Sequence, residues 1–265
     1  MRRAMRLWDH PFSPYSQKVR IALREKCLGF TREIPDGIAS GTNLGYSARN
    51  PRLEVPALEV GDQIIFDSTI ILEYLEDSFP EVPLRASNPM QRARARMVED
   101  VCDTHYEAIN WGLGELRFFG RGNAMAGKLR ANAGREISAI HSWLEAQLRP
   151  SGWFNGEAFG QGDVATVPFV AMSQILGFSP APDSRLNAWL ELVMQRPAVA
   201  QTVGEAAKAA AGMDRHSRLL EAGNFRRQFR DHRLEWLLRS GGMAVLTEGL
   251  ARCNVRFNDL ELFRQ

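Results

Sequence analysis

The chain has few cysteines, almost no net charge and no long apolar run, and each shortage excludes a class of protein. Its three cysteines, Cys27, Cys102 and Cys253, are far apart and odd in number, so they make neither a disulfide framework nor a zinc cluster of the CxxC kind. No metal is expected, and a reducing cytoplasm fits this usage. With 33 Lys and Arg against 31 Asp and Glu the formal net charge is +2, too small for a field that gathers nucleic acid or an anionic membrane. The basic start, Met1-Arg2-Arg3-Ala4-Met5-Arg6, runs straight into Leu7-Trp8-Asp9-His10, without the roughly 7 to 15 apolar residues of a signal peptide. No run nears the ~20 apolar residues of a membrane span. The expectation is a soluble, cytoplasmic protein with no nucleic-acid and no membrane partner.

What is present suffices for a core. A chain of 265 residues with 45% hydrophobic content allows one large domain or two ordinary ones. The stretch 1–80 mixes strand and helix signals: a strand over Met5 to Trp8, a helix over Pro14 to Leu28 and a strand over Phe30 to Ile34. Ala57 to Val60 and Gln63 to Phe66 flank the turn Gly61-Asp62 and read as a hairpin. A helix over Thr69 to Phe79 follows, with Ile71, Leu72, Leu75 and Phe79 on one face. The order is βαβ, loop, ββα.

After Pro80 the strand signals fade. A linker is expected over 81–87, and Asn88-Pro89 supplies a cap and a first-turn proline for the next helix. Further helices are expected at about 128–148, 163–176, 184–195 and 198–211. This divides the chain into an α/β domain (1–80), a linker (81–87), an all-helical domain (88–212) and a helical extension (213–265). In the extension Phe225, Phe229, His232 and Trp236 fall at helical spacing, with ten Arg against six acids between 215 and 265. That pattern suits an amphipathic helix folded back on the bundle, the alternative being a basic arm for a partner.

Three stretches of the α/β half carry residues suited to chemistry. Ser13 precedes Pro14 at a helix start, where its hydroxyl can cap a free N–H or donate to an anion such as a thiolate. Val55-Pro56 stands just before a strand. Pro56 there either simply begins the strand or, in a cis bond, turns the Val55 backbone outward toward an extended, peptide-like ligand. Asp67-Ser68 joins a strand to a helix, and serves either as a cap or as a site for an α-amino acid end, Ser68 and the helix start taking a carboxylate and Asp67 an ammonium.

In this order and spacing, Ser13, Val55-Pro56 and Asp67-Ser68 resemble the glutathione transferase family, and the resemblance extends to about residue 211. It implies a thioredoxin-like first domain (βαβ-ββα) and a helical bundle as the second. Ser13 falls where theta- and zeta-like members carry a catalytic serine. Val55 and Pro56 match the cis-proline element that holds the cysteinyl part of glutathione, and Asp67 and Ser68 the pair that holds its γ-glutamyl end. Gly162-Asp163-Val164-Ala165 matches the helix-capping element of the second domain. The implied activity is conjugation: glutathione as co-substrate attacks a small apolar electrophile in a cleft for which Phe12, His105, Tyr106, Ile109 and Trp111 are the candidate lining, within a homodimer. A glutathione-dependent lyase, ether-cleaving enzyme or dehalogenase is the allied alternative, and a non-catalytic adaptor of the stringent-starvation type is the alternative from another class.

The departures are specific. Ser13 and Ser16 occupy both positions of a glutaredoxin-like CPYC, so dithiol exchange is excluded. Gly160 stands where Ser or Thr often precedes the capping Asp, Asn43 where many members carry a Lys for the glycyl carboxylate, and Glu54 where Lys or Gln often precedes Val-Pro.

Overall fold

The computed structural model describes residues 4–36, 44–213, 231–255 and 263. Strands β1 (Met5–Trp8), β2 (Thr31–Glu33), β3 (Ala57–Val60) and β4 (Gln63–Phe66) form one mixed sheet in the order β2-β1-β3-β4. β1 runs parallel to β2 and antiparallel to β3, with Leu7 opposite Leu58 and Leu58 opposite Ile65. The hairpin turns at Gly61, whose φ of 66° lies in the left-handed region that glycine adopts without a Cβ clash.

Helices α1 (Pro14–Glu25) and α3 (Ser68–Ser78) pack against the sheet. Val19, Ile21, Leu23, Ile71 and Leu75 join Leu7 and Leu58 in one core, each wholly buried, and each such side chain contributes about 1.5–3 kcal/mol on leaving water. α1 ends three residues before Leu28. Cys27 takes a left-handed φ of 52°, and Leu28 N–H donates back to the Leu23 carbonyl at 2.9 Å, the closing bond of a tight helix terminus. A four-residue helix, α2 (Leu44–Ser47), lies within what reads in sequence as loop. This is a thioredoxin-like domain.

The second domain is helical: α4 (Pro89–Val101), one π-helical turn (Cys102–Tyr106), α5 (Glu107–Phe119), α6 (Ala126–Gln147), α7 (Gln161–Ile175), α8 (Arg185–Met194) and α9 (Pro197–Gly212). α7 is buried from Gln161 to Ser173, as a helix apolar on all sides must be. Asp163 fixes its start. The carboxylate accepts from Phe154 N–H at 3.0 Å, Gly160 N–H at 2.9 Å and the Trp189 indole at 2.8 Å. A Cβ on Gly160 would collide with the Asn155 side chain and the Leu84 carbonyl, which explains why serine or threonine is absent there.

α1 lies between the two domains and also meets α7 and α9. Beyond α9, α10 (His232–Arg239) and α11 (Met243–Ala251) pack on each other. α10 has no buried residue, and Trp236 is exposed. Phe263 rests edge-on against His105 and Trp143, with ring centroids 5.7 and 5.6 Å away. Phe225, Phe229 and Asn43 lie outside the described residues. Among the described residues no helix is long and apolar enough to cross a membrane, and no group of three or more His, Cys, Asp or Glu is placed to hold a metal.

Candidate functional site

Ser13 is the N-cap of α1 and Pro14 its first residue. The Ser13 hydroxyl oxygen accepts from Ser16 N–H at 3.3 Å, the ordinary capping bond. Among the described residues no acceptor takes its proton, so the hydroxyl keeps one donor at the positive end of a twelve-residue helix. The preceding loop is fixed from below. Buried Arg20 donates to the Pro11 carbonyl at 2.7 Å and pairs with Glu205 of α9 at 2.5 Å. Phe12, half-buried, packs edge-on against Phe118 of α5 at 5.2 Å.

The Val55-Pro56 bond is cis. The loop leading into it is held by side chains: Tyr46 hydroxyl and Asn50 Nδ2 donate to the Glu54 carbonyl at 2.6 and 2.8 Å, and Arg52 N–H donates to Asn50 Oδ1 at 3.1 Å. Burial pushes the Tyr46 phenol up to about 12, so it stays a donor. Leu53 has a left-handed φ of 54°, held by packing against the cluster of Trp8, Tyr46 and Ala57. Neither the Val55 N–H nor its carbonyl is taken by a described group. Those are the groups an extended peptide would pair with.

Asp67 caps α3 with Oδ1, which accepts from Thr69 N–H at 2.9 Å and Ile70 N–H at 3.4 Å. Its φ is 78°, a sparsely populated region for a residue with a side chain. Oδ2 faces Arg52 Nη1 at 3.5 Å. With two helix N–H groups consumed by Asp67, the N–H and hydroxyl of Ser68 remain, and no described group takes either. The start of α3 therefore offers donors to a carboxylate beside an acid able to take an ammonium.

One buried ionic network underlies both helix starts. Lys18 of α1 reaches Glu99 at 2.9 Å and Asp103 at 2.6 Å. Thr69 of α3 donates to Glu99 at 3.0 Å, and Tyr15 hydroxyl donates to the Asp103 carbonyl at 2.7 Å. Burial alone would depress Lys18 and raise Glu99. The Asp103 and Glu99 carboxylates outweigh it at Lys18, which is raised, and Lys18 and Arg96 outweigh it at Glu99, which is lowered. At Asp103 burial prevails over Lys18, and the carboxyl is lifted to about 6. These partners stand 81 and 85 positions apart in sequence, and no local pattern announces them.

The π turn also sorts the helical residues named from sequence. Tyr106 points into the core, wholly buried, its ring against Phe169 and its hydroxyl 2.6 Å from His141 Nε2. It is a core residue and not a lining one, because the wider π turn rotates position 106 inward while Asp103 faces α1. Burial depresses His141 to about 4. His105 contacts Phe263, and Ile109 is half-buried at the edge of the core. Trp111 is half-buried on α5.

Residues 7–83 match the family model described as glutathione S-transferase, N-terminal domain. The chain is 30% identical to maleylacetoacetate isomerase from Pseudomonas aeruginosa over 203 residues, 74% of this chain and 94% of that protein. It is 29% identical to the stringent starvation protein A homolog of Histophilus somni, covering 72% of this chain and 86% of that one. Among solved structures, rice GST1 in complex with glutathione superposes with a TM-score of 0.67 at 29% identity, over 81% of this chain and 98% of that one.

Proposed function

Because the chain belongs to the glutathione S-transferase family, we propose that it is a serine-type glutathione transferase, with Ser13 donating to the glutathione sulfur. The observation that carries this reading is the spare donor of the Ser13 hydroxyl at the start of α1. A cysteine-like thiol near 8.5 is only a few per cent ionised at pH 7. Lowering it by about two units takes ~2.7 kcal/mol of selective stabilisation. A charge-assisted hydrogen bond and a helix N-terminus are each of that order or about half of it.

The other assignments follow the untaken groups of Val55 and Ser68 and the Asp67 oxygen that only the long contact to Arg52 engages. The Val55 N–H and carbonyl pair with the cysteinyl backbone, Ser68 takes the α-carboxylate, and Asp67 Oδ2 takes the α-ammonium. The thiol gives its proton to solvent, Ser13 holds the resulting anion, and the sulfur lone pair forms a bond to an electrophilic carbon of a small apolar substrate. That substrate either loses a leaving group with its bonding pair or, at an activated double bond, shifts the π pair to the neighbouring atom, where solvent protonates it. Phe12, with Phe118 behind it, supports the apolar side of that site. A homodimer is part of this reading. Exposed Ile70, Met90 and Met97 on α3 and α4 give a second copy an apolar face, and a sedimenting species of ~30 kDa at micromolar concentration would contradict it.

A second reading, a non-catalytic adaptor, is favoured by the similarity to a stringent starvation protein A homolog. A glutathione-affinity resin separates the two. Retention and release by free glutathione support the transferase, and flow-through of folded protein supports the adaptor.

A further inference from the structure

The loop before the cis peptide carries an arginine that the reading above leaves unused. Arg52 Nη2 pairs with Glu54 at 2.6 Å, and Nη1 with Asp67 Oδ2 at 3.5 Å. Arg52 therefore occupies the one Asp67 oxygen that the cap of α3 leaves over. The two arms differ. Glu54 is buried and held close, whereas Asp67 and Arg52 are each more than a third exposed and their contact is long. A screened, stretched ion pair of this kind contributes little and exchanges readily. The backbone on both sides is set in unusual conformations, Leu53 at φ 54° and Asp67 at φ 78°. Such residues persist only where the surroundings over-determine them, and they gather at ligand clamps.

We propose that Arg52 is a specificity-determining residue of this site: it bridges Glu54 and Asp67 in the free protein, and on binding it yields Asp67 to a ligand ammonium and clamps the neighbouring α-carboxylate. The proposal rests on the glutathione reading. Its chemistry follows from distance. An ammonium and a carboxylate on one carbon lie side by side, so a ligand nitrogen at Asp67 Oδ2 brings its carboxylate to the guanidinium now beside that oxygen. Ser68 meets the same carboxylate from the start of α3. Arg52 keeps its other edge on the buried Glu54 carboxylate, which anchors the guanidinium beside Asp67. A planar guanidinium suits both tasks, since it can hold one carboxylate while offering its other edge to a second.

The test is a cycle of protein against ligand. Wild type, Arg52→Gln and Arg52→Lys are each titrated calorimetrically with glutathione and with 4-aminobutyryl-cysteinyl-glycine, which lacks only the α-carboxylate. The proposal expects Arg52→Gln to weaken glutathione more than tenfold and the decarboxylated analogue less than threefold, with Arg52→Lys between wild type and Arg52→Gln toward glutathione. Thermal melting in parallel shows whether the variants fold as the wild type does. Equal weakening of both ligands would mean that Arg52 only holds the loop, and would overturn the proposal. So would unchanged or tighter glutathione binding by Arg52→Gln, or wild-type indifference to the α-carboxylate. If wild type binds no glutathione, the underlying reading falls with it, an outcome distinct from binding that Arg52→Gln matches.

Discussion

Two helix starts in this molecule solve the same problem in opposite ways. At α7 the Asp163 carboxylate is wholly buried and accepts from two backbone N–H groups and an indole. At α1 the Ser13 hydroxyl is half-buried, accepts one N–H at 3.3 Å, and keeps its own proton. A cap satisfies orphan donors either way. Where the capping group is wholly buried among protein donors the cap can only hold the fold, and where a donor is left over at an accessible helix end there is something for a ligand to use. α3 lies between these cases, since Asp67 commits one oxygen to the cap and leaves the other exchangeable.

The comparison breaks first at Asp163. Asp163→Ala strips three buried donors of their acceptor, and urea denaturation should show a loss of roughly 3–5 kcal/mol, given the cost of orphaned buried groups. A loss under ~1 kcal/mol would mean that the α7 start is held by packing alone.

The next effect is a pH dependence set on either side of the π turn. Folded His141 is depressed to about 4 by burial, against an ordinary value near 6.5. Unfolding therefore takes up a proton below that ordinary value. The stability His141 contributes is present above about 6.5 and lost as pH falls toward 4, about 2 kcal/mol between pH 7 and 5. Asp103, lifted to about 6, has the opposite sign, its contribution being present below the ordinary carboxylate range and lost as pH rises through 6. His141→Gln keeps a polar partner for Tyr106 but cannot titrate, so the loss of stability from pH 7 to 5 should shrink by that amount. An unchanged pH profile would place the acid sensitivity elsewhere.

At α3 the predicted effect is on binding. The double variant Asp67→Ala, Ser68→Ala should weaken glutathione more than tenfold, about 1.4 kcal/mol, because charged ligand groups lose their partners. Unchanged affinity by calorimetry would reduce this helix start to a cap of the α7 kind.

How much of this could be read from the residues follows from how local each signal is. The strands, the hairpin and the large helices were legible because hydrophobic period, Gly61-Asp62 and Asn88-Pro89 are signals within a few residues. The helix start at Ser13-Pro14 and the strand-to-helix junction at Asp67-Ser68 were legible for the same reason, whereas the isomer of Val55-Pro56 was not. The early end of α1 turns on the left-handed conformation of Cys27, which no glycine marks. α2 is four residues long, too short for a period to register. The π turn has no propensity signature, and it decides that Asp103 meets Lys18 while Tyr106 enters the core. The Lys18 network and the bridge from Arg52 to Asp67 join residues brought together only by the fold. The charged residues are visible in the sequence, and their pairing is not.

The account's central claim is that Ser13 is more than a cap, and Ser13→Gly tests it most directly. Glycine at a cap costs only a few tenths of a kcal/mol while removing the hydroxyl, so melting should barely change. The thiol pKa of bound glutathione, followed by thiolate absorbance against pH, should rise by about one unit or more as a charge-assisted bond is lost. A variant that melts normally and leaves the bound-thiol pKa where it was would contradict the account, and would make the start of α1 the same kind of structure as the start of α7.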